Sequence, residues 1–253
     1  MAYLFHSLVY QPIYNILIAV YNIIPDFGIA IIIVTVLVKL VLIPLSKKQI
    51  ESQKKMQELQ PRIKEIQAKH KNDKEKQSRA MMELYKETKS NPFSGCLPMV
   101  VQLVFLIAIY RVLFNISQAG LIANAGDLYG FIHNPGQINK MFLGTVDLSS
   151  AIDFAHITIS SLPHILLVIA AAGAQFIQTK MLMAKQPVKV TKADEADFSQ
   201  IMTKQMLFLG PLLTLFIGVK FPAGLALYWL VSTGFMVAQQ RYMEKKEALA
   251  IVK

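Results

Sequence analysis

Five blocks of this sequence run for fourteen to twenty-three residues with almost no charge: 28–45, 97–114, 161–183, 206–219 and 223–238. Lipid offers backbone N–H and C=O groups no partners, so apolar blocks of this length are read as spanning helices. At about 1.5 Å per residue, 28–45 reaches about 27 Å, close to the thickness of the hydrocarbon layer. The blocks 206–219 and 223–238, joined by the turn Lys220-Phe221-Pro222, fall short of the usual ~20 residues and imply a locally thinned bilayer. Charged residues make up 17% of the chain, against about 25% in a soluble domain, and they collect between the blocks.

The cations set an orientation. Residues 1–28 hold no Lys or Arg, 46–96 hold thirteen, 115–160 one, 180–205 five, the turn at 220 one and 241–253 four. High and low alternate across all five blocks, which puts the N-terminus outside and the C-terminus in the cytoplasm. The loops 46–96 and 184–205 and the tail 239–253 then lie inside, and the loop 115–160 outside. The first 25 residues carry no basic n-region, so neither a secretory signal nor a transit peptide is expected, and the single cysteine, Cys96, excludes an internal disulfide framework.

Residues 1–27 interleave aromatics with His6, Gln11, Asn15 and Asn22. Ile13, Ile16, Leu17, Val20 and Ile24 form a stripe at helical spacing, which predicts an amphipathic helix on the outer interface, with an extra span as the alternative. In 46–96, Ile50, Met56, Leu59, Ile63 and Ile66, then Met81, Leu84 and Tyr85, predict two antiparallel helices broken at His70–Asp73. Pro61 is expected to kink or restart the first arm, and Asn91-Pro92 to end the second. Thirteen basic and seven acidic residues make this hairpin a solvated, mixed-charge surface.

Inside the blocks, the polar residues fall at one level. Counted from the cytoplasmic ends, Lys39 and Gln178 lie about 10 Å deep, Gln102 about 8 Å, Thr214 and Ser232 about 14 Å, and Gln175 about 15 Å. Thr35 shares a face with Lys39, four residues on, and Gln175, Gln178 and Thr179 share another. A lysine at this depth can snorkel to the headgroups, and glutamines can glue helices together. Clustering at one depth on different blocks instead predicts a wet cavity, open to the cytoplasm and closed halfway.

Motifs for nucleophilic, phosphate-binding or metal chemistry do not stand out, and His133, His156 and His164 lack ligand spacing. The expectation is a non-enzyme without cofactor or metal. Nor is there a nucleic-acid motif.

The stretches GIAIIIVTVLVKLVLIPLSKKQIESQKKMQELQPRIKEIQAKH, MMELYKETKSNPFSGCLPMVVQLVFLIAIYRVLF and FPAGLALYWLVSTGFMVAQQ, with the weaker MFLGTVDLS, resemble the YidC family of bacterial membrane-protein insertases, which has mitochondrial and chloroplast relatives. The resemblance implies an all-α polytopic membrane protein of the bacterial plasma membrane. Five helices would surround a lipid-exposed hydrophilic groove, closed outside, with a cytoplasmic hairpin in front and an N-terminal interfacial helix. Its implied partners are nascent membrane-protein clients, lipid, the Sec translocon and the ribosome. Lys39 stands where the family carries a groove arginine, keeping the charge but losing the planar fork, and Trp229 matches a groove aromatic. The large periplasmic domain and lipoprotein signal of Gram-negative members are not matched. With four basic residues in the tail, the hairpin 46–96 is the expected ribosome-docking surface. The rival expectation is a small-solute transporter or channel, which would carry polar residues through the full depth.

Overall fold

A computed structural model describes residues 2–71, 73–88, 90, 97–154, 156–183 and 198–251. The end of the hairpin at Asn91-Pro92, Cys96 and most of the 184–205 loop lie outside the described residues. The described chain is mostly helical, with α1 (Ala2–Phe5), a π-helical turn (His6–Tyr10), α2 (Gln11–Ile23), α3 (Phe27–Val41), α4 (Ile43–Lys69), α5 (Lys74–Glu87), α6 (Leu97–Gln118), α7 (Leu162–Met183), α8 (Phe198–Lys220) and α9 (Ala223–Ile251).

Two stretches, Val100–Gln118 and Ile159–Met181, are long and apolar enough to cross a membrane, and α3 with α4 makes a third if that bent pair is one span. The bend, 67°, falls at Leu42. Pro44 at the start of α4 has no N–H to give to Leu40, so the helix of the 28–45 block stops at Val41 and restarts. Helix α9 is the central element and packs on α3, α6, α7 and α8. The main core joins α2, α3 and α6, the 115–160 loop and the first turns of α9, through Leu17, Ile31, Val112, Leu148 and Leu227.

The N-terminal arm departs from the expected stripe. Ile13 and Leu17 are buried, but Ile16 and Ile24 are exposed, and Tyr14, Asn15, Ile18 and Tyr21 turn inward instead. Hydrogen bonds explain the shift. Asn15 Nδ2 donates to the carbonyl of Asp127 at 2.8 Å, its Oδ1 accepts from the Tyr129 amide at 2.7 Å, and the Asn139 amide donates to the Tyr21 hydroxyl at 2.8 Å. His6 meets the Asp127 carboxylate at 3.1 Å and stacks on Tyr10, which stacks on Tyr14. The polar edge of the arm therefore binds the 115–160 loop.

That loop forms a cap. A small antiparallel pair, β1 (Met141–Phe142) with β2 (Val146–Asp147), turns at Leu143-Gly144, both at positive φ. Asp26 caps α3 through the Ile29 amide and holds the Leu143 amide at 2.9 Å. Past the hairpin, the amides of Ala223 and Gly224 donate to Ser150 and Leu148, which stitches the loop to the start of α9. One continuous layer thus ties together the arm, the loop and the α8–α9 turn.

At the other end, α4 and α5 run antiparallel, with Arg62 paired to Glu87 and Gln77 bonded to the Gln67 carbonyl. Helix α4 continues through Pro61 rather than restarting there. Ile63 and Leu84 are the buried apolar residues of the two arms.

Candidate functional site

The polar residues of the apolar helices meet in two linked sets along α9. In the first, Lys39 Nζ of α3 donates to Gln102 Oε1 of α6 at 3.0 Å. Ser232 Oγ of α9 donates to the same oxygen at 3.0 Å, and Gln102 Nε2 donates to the Tyr228 hydroxyl at 3.2 Å. In the second, Gln175 Oε1 of α7 accepts from Trp229 Nε1 at 3.2 Å and from Thr233 Oγ1 at 3.5 Å.

The sets follow from helix geometry. Tyr228 and Ser232 are four residues apart, and so are Trp229 and Thr233, so each pair shares one face of α9. The two faces differ by about 100°, which aims one at α3 and α6 and the other at α7. Ser232 and Thr233 are buried, whereas Lys39, Gln102, Gln175 and Trp229 are each partly exposed. Among the described residues no carboxylate pairs with Lys39. Among these residues its charge is met by the neutral dipole of Gln102.

Three expected residues stand apart from these sets. Thr35 is buried and returns its hydroxyl to the Ile31 carbonyl at 2.6 Å, so it shares a face with Lys39 without bonding it. Thr214 likewise donates to the Gly210 carbonyl. Gln178 is buried one turn below Gln175, with its amide 3.5 Å from Met236 Sδ. Tyr228 and Thr233 were absent from the expected set, although the four-residue spacing to Ser232 and Trp229 marks both. Arg111 was also absent, being inside the 97–114 block and so in no loop count. It lies nine residues from Gln102, or two and a half turns, and faces the opposite side of α6. Among the described residues no cluster of His, Cys, Asp or Glu could hold a metal ion.

Residues 19–249 match the family described as the 60Kd inner membrane protein. The chain belongs to that family. Within it, the membrane protein insertase YidC of Fusobacterium nucleatum is 32% identical over 223 residues, 88% of this chain and 88% of that protein. The YidC of Citrifermentans bemidjiense is 34% identical over 238 residues, 94% of this chain but 37% of the relative. A crystal structure of an active YidC insertase with its first transmembrane domain resolved aligns with a TM-score of 0.55 and 25% identity, covering 92% of this chain and 47% of that one. The chain thus spans 37% and 47% of the two longer YidC proteins and 88% of the shorter one. Each of these proteins is named an insertase, which leaves the transporter expectation without support.

Proposed function

We propose that this chain inserts other membrane proteins, taking a short hydrophilic client segment into a groove beside Lys39 and releasing the client's apolar helix to lipid. One observation carries this reading: a lysine without a carboxylate partner among the described residues sits in a polar layer shared by four apolar helices. Membership of the family, with insertase names on full-length relatives such as the Fusobacterium protein, supports it.

The physical task is to lower a barrier. A charge at the bilayer centre costs about 3 kcal/mol on insertion scales. Water around the Lys39 and Gln175 sets shortens the apolar path, and thinning near α8 and the first turns of α9 shortens it further. Lys39 attracts an acidic or polar tail by charge, and Gln102, Ser232 and Trp229 offer exchangeable hydrogen bonds to the passing backbone. Burial of the client's apolar helix in lipid drives the step without nucleotide.

In this reading α3, α6, α7, α8 and the first half of α9 are five spans of the plasma membrane, with the arm and the 115–160 loop outside. The tie of that loop to α2 and α9 supports a closed outer end. The hairpin α4–α5 faces the cytoplasm, where its basic surface is the candidate ribosome contact, and the Sec translocon is a further candidate partner.

The test uses proteoliposomes and a client with a short acidic tail. Lys39→Ala is expected to cut tail translocation, read by protease protection, and Lys39→Arg to preserve it. Wild-type translocation by Lys39→Ala, with the protein folded, sinks the electrostatic role.

A further inference from the structure

Helix α6 carries an exposed stripe on the side away from Gln102. Val100, Leu103, Ile107 and Phe114 are all exposed, at spacings of three, four and seven residues. Arg111 falls on that stripe, four residues after Ile107 and three before Phe114, and is itself exposed. A helix that crosses a membrane turns such a stripe to lipid. Arg111 is its single charge.

Among the described residues no carboxylate forms a salt bridge with Arg111. Its guanidinium carbon instead lies 5.2 Å from the centroid of the Phe5 ring, which fixes the side chain against the N-terminal arm. Leu4 and Leu8, on either side of Phe5 in sequence, are exposed at 59% and 71%. The guanidinium thus stands on the Phe5 ring, within electrostatic reach of the Tyr10 hydroxyl, seven residues or about 10 Å from the last residue of α6. The long side chain can bring its head to the headgroup level while its stem stays in lipid.

We infer that Arg111 and the Phe5 arm form a binding site for one anionic phospholipid, with the guanidinium on the phosphate and Leu4, Leu8 and Phe114 against the acyl chains. Guanidinium and phosphate match as a two-pronged, charge-assisted pair, and the ring beneath Arg111 holds the fork in place before the lipid arrives. The site explains why a cation is tolerated at the cation-poor end of this helix: the lipid supplies a counter-charge that no described residue supplies by a salt bridge. It also fastens the arm, whose other face binds the outer loop, to the bilayer at a defined depth. The inference rests on the proposed orientation only for naming the leaflet, the outer one.

Native mass spectrometry of the delipidated full chain, titrated with phosphatidylglycerol or phosphatidylcholine, tests it. The wild type is expected to retain one phosphatidylglycerol in preference to phosphatidylcholine. Arg111→Gln should lower that occupancy about tenfold, Arg111→Lys about threefold through loss of the fork, and Lys220→Gln, at the same end of the bundle, not at all. Excess inorganic phosphate should leave the lipid bound. Equal retention by Arg111→Gln, equal loss in Lys220→Gln, or displacement by inorganic phosphate overturns the site. Each is read without a client, so the result is independent of Lys39 and of insertase activity.

Discussion

Lys39 reaches from α3 to Gln102 of α6, 3.0 Å away, and Gln102 accepts on the same oxygen from Ser232 of α9. One amide oxygen therefore gathers three helices around an ammonium that pairs with no carboxylate among the described residues. Gln102→Glu keeps the shape and both acceptor bonds, and the Tyr228 hydroxyl, now a bond donor, can turn to the new carboxylate. What changes is the charge, because Lys39 gains a fixed anion. The expected outcome is an unchanged or higher thermal midpoint with translocation of an acidic tail cut as severely as by Lys39→Ala. Protease protection in proteoliposomes, beside a melting curve, checks both. Full translocation by Gln102→Glu would show that the free cation is not what the client uses.

Asn15 is 1% exposed and binds the Asp127 carbonyl and the Tyr129 amide. Asn15→Leu fills the space but leaves the Tyr129 amide without its partner and the Asp127 carbonyl with only the longer bond from Gln11 Nε2, 3.4 Å, where a buried group left wholly unsatisfied costs about 1–3 kcal/mol. A loss of about 2–4 kcal/mol is expected, with faster proteolysis between residues 119 and 139. Asn22, which is exposed and gives one bond to the His133 carbonyl, is the control. Asn22→Ala should cost less than about 1 kcal/mol.

These residues also show what the sequence could and could not reveal. Length and apolarity disclose the helices, because lipid leaves the backbone few alternatives. The polar layer is legible for the same reason: a lysine or glutamine inside an apolar block has few innocent places to go. Asn15 was legible only as a polar edge, since its partners are backbone groups of a loop more than a hundred residues away. Hydrophobic periodicity counts side chains and is blind to such bonds, so it groups Ile13, Ile16, Leu17 and Ile24 on one face, of which the fold buries Ile13 and Leu17 and leaves Ile16 and Ile24 exposed. Arg111 escaped because charges were counted between blocks, and its neighbour Phe5 belongs to another segment. The break after Val41 turns on the missing N–H of Pro44, a backbone effect that block length conceals.

Lys140 and Asp147 form an ion pair at 2.7 Å beside the β1–β2 pair. Burial pushes the Asp147 carboxyl up, but hydrogen bonds from Lys140 and Ser149 outweigh it and hold the group below its ordinary 3.8. The unfolded chain therefore takes up this proton at higher pH than the folded one. The pair's contribution is present above pH 3.8 and is lost as pH falls through the lower folded value. Asp147→Asn should melt below the wild type near neutrality and converge with it in acid. A parallel pair of melting-versus-pH curves would argue against the linkage.

Gly28 lies in the first turn of α3 against the β1–β2 hairpin, and a Cβ there would overlap the Phe142 ring. Phe142 sits in β1, whose turn is held by Asp26, two residues before Gly28. Neither partner can give way cheaply, because the turn is tied to the same helix end that the ring presses on. Gly28→Ala should thus strain the cap by about 1–3 kcal/mol, the usual range for overpacking. Phe142→Ala alone leaves a cavity and should cost about 3–5 kcal/mol. The double variant separates close packing from mere helix propensity. If the ring is what Gly28 accommodates, Gly28→Ala does no further harm once Phe142 is alanine, and the two effects are non-additive by about 1 kcal/mol or more. Strict additivity of the melting shifts would mean that the hairpin moves freely over α3, and the cap formed by the 115–160 loop would then not be the rigid layer that its hydrogen bonds describe.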